Sequence, residues 1–309
     1  MFSVLFPGQG SQSVGMTKEL YDNFGYVKEL FNQANDVLNI SIDKIIFEGP
    51  KELIDETENT QPAIFLSSYA IYNVIKNETS FNINDASFFA GHSLGEYSAL
   101  ACSKCLSFID TIKLLKIRGK AMQNAVPKNE GGMVAVLGVE INEIYEIFER
   151  NINNFKCFIA NDNCNGQVVI SGKTNNLNKL IDELKKLNIK NIKLPVSAPF
   201  HCNLMEPATQ IMKSEIMNTE FSQSKNMIVS NVTAKPSKDS NIIKNLLIEQ
   251  IEKPVRWRES ILSIINSGNK KFIEIGPGKV LSGLVKRIDR NVEIIQVNNI
   301  EDLKNLKNI

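Results

Sequence analysis

The stretch FFAGHSLGEYSALA, from Phe88 to Ala101, decides the fold and points to the chemistry. Phe88, Phe89 and Ala90 make a short apolar run, enough for the end of a buried strand. Gly91-His92-Ser93-Leu94-Gly95 breaks that run, and a helical pattern begins at Glu96. The two glycines flank Ser93 in the G-x-S-x-G spacing of a nucleophile elbow. Lacking Cβ atoms, they let strand and helix approach closely and force the serine onto a tight turn at a helix N-terminus. The hydroxyl is exposed there, and backbone N–H groups, that of Leu94 first among them, point at any oxyanion formed beside it. The pentapeptide alone also fits an ordinary glycine-rich turn; the strand before it and the helix after it favour the elbow.

Working outward, Phe2–Phe6 reads as a first strand ended by Pro7-Gly8-Gln9-Gly10. A helix is expected from about Ser13, short helices to Asp55, and a longer one from Thr60 to Lys76 with Pro62 just inside its start. The strand before the elbow spans Ala86–Ala90, and the second helix after it covers Thr111–Ala125. Pro127 and Gly131-Gly132 mark a boundary. Beyond it the pattern reads strand 133–139, helix 141–151, strands 157–161 and 167–171, helix 177–187 and strand 192–196. That β-α-β-β-α-β order is the ferredoxin-like unit, which closes on itself. It interrupts a chain that afterwards resumes alternating helices and strands, with strands at 227–230, 271–275 and 292–297. The expected architecture is therefore α/β with a mostly parallel sheet. Residues 1–126 and 198–309 form a large subdomain, and 127–197 a ferredoxin-like small one inserted into it.

A chain of 309 residues with 43% hydrophobic content can bury a large core. A formal net charge of +1 gives no global field for nucleic acid or a membrane surface. Five cysteines without framework spacing fit a reducing cytoplasm. The first apolar run, Met1–Phe6, is too short for a signal-peptide core and lacks a basic leader. No metal site is expected: Cys102 and Cys105, placed in the helix after the elbow, have no second pair to complete one. Gly8-Gln9-Gly10 lacks the third glycine of a dinucleotide fingerprint and the Lys of a P-loop.

A serine hydroxyl needs a base. The chain offers two histidines. His92, next to Ser93 on the turn, points away from where a base must sit. His201 lies where the small lobe ends and the large one resumes, a place from which it can reach the elbow, and it takes the role of general base. A third, acidic member is not evident: Asp162 and Asp182 have the right chain order but belong to the small lobe. A neutral carbonyl orienting the histidine fits better. A second oxyanion donor can come from the loop 7–12. Arg118 lies beside the apolar stripe of Leu114, Leu115, Ile117 and Ala121, where a guanidinium at a cleft edge holds a carboxylate in two-pronged fashion.

Taken together, FPGQGSQ (6–12), GHSLGEYSAL (91–100), RGKAMQ (118–123), GQVVISG (166–172), APFHCNLM (198–205), QIEKPVRW (250–257) and EIGPGKVL (274–281) closely resemble the malonyl-CoA:acyl carrier protein transacylases of fatty-acid synthesis. The likeness runs essentially end to end. It implies an α/β-hydrolase-like core with a ferredoxin-like insertion, Ser93 as acyl-accepting nucleophile and His201 as its base. It further implies Gln9 and Leu94 as oxyanion-hole N–H donors, Arg118 on the malonyl carboxylate, and the Gln250 backbone carbonyl orienting His201. Asn161 is implied to line the pocket, and Phe200 to crowd out an α-methyl branch. The implied partners are malonyl-CoA and an acyl carrier protein; CoA and phosphopantetheine arrive as parts of substrates, with no resident cofactor, and the family expectation is a monomer. Lys279, Lys286, Arg287 and Arg290 are candidates for docking an acidic carrier. Two rivals remain open. A serine esterase or thioesterase would use the same elbow with an acidic third member; a non-catalytic acyl- or carrier-binding protein would have no need of both Ser93 and His201.

Overall fold

A strand as apolar as Ser3-Val4-Leu5-Phe6 is stable only when both its faces are covered. In the computed structural model, which describes residues 1–151, 155–196 and 198–308, this segment is β1, in the interior of a sheet. The chain continues through α1 (Lys18–Asn23), α2 (Gly25–Leu38), α3 (Ile42–Glu48), α4 (Lys51–Ile54) and α5 (Thr57–Glu78). β2 (Phe88–Gly91), α6 (Gly95–Cys102) and α7 (Phe108–Asn124) follow. The next segment is β3 (Gly131–Leu137), α8 (Ile141–Arg150), β4 (Cys157–Cys164), β5 (Gln167–Lys173), α9 (Thr174–Lys186) and β6 (Lys190–Lys193). The last part holds α10 (Glu206–Asn218), β7 (Met227–Val229), β8 (Pro236–Ser237), α11 (Ser240–Glu249), α12 (Trp257–Asn266), β9 (Lys271–Ile275), α13 (Val280–Ile288) and β10 (Glu293–Val297).

The large sheet runs β10-β9-β1-β2-β7-β8 and is parallel except for the final β7–β8 pair. Side chains alternate across it. Val4, Phe6 and Phe89 enter the core built with α5, α6 and α7; Leu5 and Ala90 enter the opposite one with Trp257, Ile261 and Leu284 from α12 and α13. The second sheet is antiparallel, in the order β4-β5-β3-β6. Val134, Val136, Val168 and Ile170 on one of its faces pack on Ile144, Ile147, Leu180 and Leu184 of α8 and α9. The alternate residues Met133, Ala135 and Val169 join the main core with Phe200. The small sheet thus presents its second face to the large lobe, and the functional site lies between them. None of the described helices is long and apolar enough to cross a membrane.

Several element ends differ from expectation for local reasons. α5 starts at Thr57, ahead of Thr60, because Asn59 and Thr60 both donate their backbone N–H to Glu56 O (2.8 Å each) and close a turn before Pro62. α7 starts at Phe108, since Ser107 accepts the Asp110 N–H (3.0 Å) as an N-cap. α1 begins only at Lys18, because the chain from Ser13 makes turns, one of them tied by Gly15 N–H to Ile46 O (2.8 Å). Cys102 ends α6 and Cys105 lies beyond it, so the pair does not share the helix. The expected lobe boundary at 197 falls outside the described residues.

Candidate active site

β2 ends at Gly91, Ser93 takes a left-handed φ of 53°, and α6 begins at Gly95 with Leu94 as its N-cap. A Cβ on Gly91 would sit 1.9 Å from the Gly95 carbonyl, and one on Gly95 would meet Phe6 O at 2.2 Å. The two glycines are therefore what lets β2 turn into α6 directly over β1. The strained serine is held on both sides: its N–H donates to Asn231 Oδ1 (2.7 Å) and its carbonyl accepts from Gln250 Nε2 (3.0 Å).

His201 arrives from the segment after β6, its own φ also left-handed at 57°. Its Nε2 lies 2.8 Å from Ser93 Oγ, and its Nδ1 2.8 Å from the backbone oxygen of Gln250, just past α11. A carbonyl can only accept, so Nδ1 carries the hydrogen and Nε2 presents its lone pair to the serine hydroxyl. Burial, and then the charge of Arg118, push the His201 pKa down to about 3 against the opposing Gln250 bond, so the ring is a neutral base. Asp162 and Asp182 stand apart from it. Asp162 pairs with Arg258 (2.8 Å) and Asp182 with Lys185 on the surface.

Arg118 differs from the sequence expectation of a cleft-edge position: it is 1% exposed. Nη1 donates to Gln61 Oε1 (2.7 Å), and Nη2 donates to Gln250 Oε1 (2.9 Å) and Ser93 Oγ (3.1 Å). Its Nε is enclosed and has no acceptor in hydrogen-bond geometry among the described residues, and the guanidinium lies over the Tyr97 ring, 5.5 Å from its centroid. Ser93, His201 and Arg118 share a cavity of about 100 Å³ with Gln9, Leu94, Asn161 and Phe200. All the expected site residues except Gln250 line it, and Gln250 stands behind it, fully buried. Phe200 is anchored by its carbonyl, which accepts from Ser171 Oγ (2.5 Å). A second cavity of about 180 Å³ shares Gln9, His92 and Asn161 with the first and reaches Val280, Leu281 and Leu284 of α13. Among the described residues, no cluster of three or more His, Cys, Asp or Glu side chains is placed to hold a metal.

A serine at an elbow, a neutral histidine held by a carbonyl, and a buried guanidinium at the nucleophile are the parts for moving an acidic acyl group. The sequence matches the acyl transferase domain family over residues 4–303. The chain belongs to this acyl transferase family. A malonyl CoA-acyl carrier protein transacylase of Bacillus subtilis is 41% identical over 97% of this chain and 94% of that protein. The crystal structure of an acyl-carrier-protein-S-malonyltransferase from Bartonella henselae superposes with a TM-score of 0.95 at 38% identity, covering 98% of this chain and 97% of that one. A malonyl-transacylase solved in complex with a type II PKS acyl-carrier protein gives a TM-score of 0.95 at 36% identity over 100% and 99% of the two chains. The α/β fold with its mixed sheet is thus shared over the full length.

In this acyl transferase, four polar residues that the sequence reading did not single out complete the site. Asn231, fully buried after β7, also donates from Nδ2 to Gly91 O (2.7 Å), so one side chain clips the turn at both ends. Glu96, on the first turn of α6, accepts the Asn231 N–H (3.0 Å) and Gln250 Nε2 (2.8 Å). Burial raises its pKa to about 7 against those bonds and the Arg118 charge. Gln61 of α5 holds Arg118, and Asn163 of β4 meets His92 Nε2 (2.9 Å), turning that ring from the nucleophile towards the small sheet. Only Glu96 had a sequence signal, as an acid in the first turn of the elbow helix.

Proposed function

We propose that this acyltransferase moves a malonyl group from malonyl-CoA to the phosphopantetheine thiol of an acyl carrier protein, through a malonyl ester on Ser93. The observation that carries this is Arg118: a buried guanidinium that lines the nucleophile's cavity, with Nη2 3.1 Å from Ser93 Oγ, suits an acyl group that ends in a carboxylate. The names of the relatives above support the same donor and acceptor.

In the first half-reaction, Ser93 Oγ attacks the thioester carbonyl as His201 Nε2 takes its proton. The N–H groups of Gln9 and Leu94 hold the oxyanion, a role in which each donor is worth roughly 10²–10³ in turnover. Collapse breaks the C–S bond, and the sulfur of CoA leaves with the proton from His201. In the second half, His201 deprotonates the carrier's thiol, the thiolate attacks the ester, and as the C–O bond breaks His201 returns the proton to Ser93 Oγ. The Gln250 carbonyl keeps the ring in the right tautomer throughout. Asn161 lines the acyl pocket, and Phe200 fills the space an α-methyl branch would need.

We read residues 1–126 and 198–309 as an α/β-hydrolase-like core and 127–197 as a ferredoxin-like subdomain, supported by the strand order β4-β5-β3-β6. The enzyme works as a cytoplasmic monomer without a resident cofactor, and the pantetheine arm enters beside α13. Lys279, Lys286, Arg287 and Arg290 form the carrier-docking surface. Lys286 is already tied to Val292 O (2.6 Å) and Arg287 to Gln167 (3.2 Å), which places more of the docking load on the other two. Intact-mass measurement after mixing with malonyl-CoA, beside a Ser93→Ala control, tests the scheme. A malonyl adduct on the wild type alone is expected, and its absence would sink the mechanism.

A further inference from the structure

Three acidic side chains are buried among the described residues. Asp162 is paired with Arg258, and Glu274 accepts the Leu281 and Ser282 N–H groups (3.0 and 2.7 Å) at the start of α13. Glu96 has no such structural partner of opposite charge in direct contact. It reaches Arg118 only through the Gln250 amide, whose Nε2 donates to Glu96 and whose Oε1 accepts from Arg118. The carboxylate and the guanidinium thus form a relayed pair behind the nucleophile. The other titratable groups around them are Tyr97 on α6 and the two histidines, His92 and His201; Gln61, Asn231 and Gln250 are neutral.

With Glu96 ionised, the charges of this enclosed site sum to zero. A malonyl carboxylate on Arg118 adds one negative charge that the dry pocket cannot screen. We propose that Glu96 takes up a proton from solvent as the malonyl group is loaded, keeping the buried site neutral, so that empty and loaded enzyme differ by a proton on Glu96. This rests on the malonyl transfer proposed above. The chemistry itself consumes no proton: the serine proton ends on the CoA sulfur as the O–C bond replaces the S–C bond, and the malonyl carboxylate keeps its charge. Any proton taken from solvent is therefore held by the protein. Both hydrogen bonds to Glu96 land on Oε2, leaving Oε1 to carry it.

Burial already holds the Glu96 pKa near about 7. Taking a separation of roughly 7 Å, the order of the two hydrogen bonds of the relay and the amide between them, a new negative charge at an effective dielectric constant of about 20 raises it by roughly 1.7. At pH 7.5 Glu96 then goes from mostly ionised to mostly protonated, an uptake of about 0.7 proton per acyl-enzyme. Glu96 acts through charge and through Gln250, so it is a positioning residue, and counting protons reads the charge role specifically.

The test mixes full-length enzyme with malonyl-CoA, without carrier, in weakly buffered solution at pH 7.5 containing an indicator dye. Adduct is counted by intact mass. We expect about 0.7 proton per malonyl-Ser93 in the wild type and in Glu274→Gln, and close to none in Glu96→Gln, where an amide oxygen at the Oε2 position keeps both hydrogen bonds. Infrared difference spectra of wild-type protein carrying ¹³C-carboxyl glutamate give the same answer if Glu96→Gln does not fold: one carboxylate converts to the acid on loading. An adduct that forms without this conversion, or uptake that persists in folded Glu96→Gln, overturns the role of Glu96. A wild type that forms no adduct overturns the transfer reading instead.

Discussion

Replacing Asn231 by alanine tests whether the turn at Ser93 is held from outside. The side chain accepts the Ser93 N–H and donates to Gly91 O, each at 2.7 Å, in a fully buried position. Alanine leaves an N–H and a carbonyl without partners next to a serine whose φ of 53° is already strained. Each orphaned buried group costs about 1–3 kcal/mol, so the two together are expected to cost about 2–6 kcal/mol of folding stability. The larger effect is on the nucleophile. A displacement of about 1 Å costs on the order of 10²-fold in rate, and Ser93 Oγ has only a 2.8 Å path to His201. Asn226, at the other end of β7, provides the control. Its Nδ2 donates to Asn84 O (2.9 Å) and Ala86 O (2.7 Å), remote from the turn. Asn226→Ala is expected to lose comparable stability and to acylate at the wild-type rate. Denaturant unfolding gives the stabilities, and single-turnover loading from malonyl-CoA, normalised to folded protein, gives the rates. Wild-type loading by Asn231→Ala, or equal slowing by both variants, would refute the clip.

If Arg118 holds the malonyl carboxylate as proposed, Arg118→Ala removes two charge-assisted bonds, and malonyl transfer is expected to fall roughly 10²–10³-fold with the preference for malonyl over acetyl abolished. Competition between malonyl-CoA and acetyl-CoA measures this, and an unchanged ratio excludes the carboxylate clamp. His201 makes stability depend on pH in a fixed direction. Its folded pKa of about 3 lies below the ordinary value of 6.5, so the unfolded chain binds a proton that the folded one does not. The stability it contributes is full above pH 6.5 and is lost as pH falls towards 3, by about 5 kcal/mol in all. Between pH 6.5 and 4.5 the wild type should lose about 2 kcal/mol more than His201→Gln, and equal losses would mean that the folded histidine titrates normally.

What could be read from the sequence was local or rare. The elbow is one pentapeptide whose glycines are fixed by contacts within strand, turn and helix. His201, which the structure puts 2.8 Å from Ser93 Oγ, is legible because the chain has two histidines and the other is adjacent to the serine. The small lobe was legible because its alternation of strand and helix patterns changes at Pro127. Long-range partners left no trace of this kind. Asn231 lies 138 residues from Ser93, and Gln61 lies 57 from Arg118; neither sits in a motif whose chemistry points to the other. Periodicity put Arg118 beside the apolar stripe of α7, but its complete burial depends on Gln61 across the α5 interface. The starts of α5 and α7 lie ahead of Pro62 and of the apolar stripe because Glu56 and Ser107 close the first turns, through hydrogen bonds that leave no mark in the apolar pattern.

The neutral partner of His201 bears on how such a site favours a carrier thiol over water. A carboxylate there would stabilise the imidazolium and strengthen the base. The Gln250 carbonyl orients the ring without supplying a charge, and burial with Arg118 weakens the base further. A thiol has a pKa of about 8.5, whereas water has one near 15.7, so a weak base loses far more rate with water than with a thiol. Serine is less acidic than a thiol, but it is not left to the base alone: Arg118 Nη2 donates to its oxygen at 3.1 Å and stabilises developing negative charge. On the proposed scheme, a malonyl carboxylate on Arg118 divides that assistance, and a water molecule approaching the ester meets a weak base and a guanidinium already engaged. In that scheme the arginine that selects the acyl group also helps to protect it.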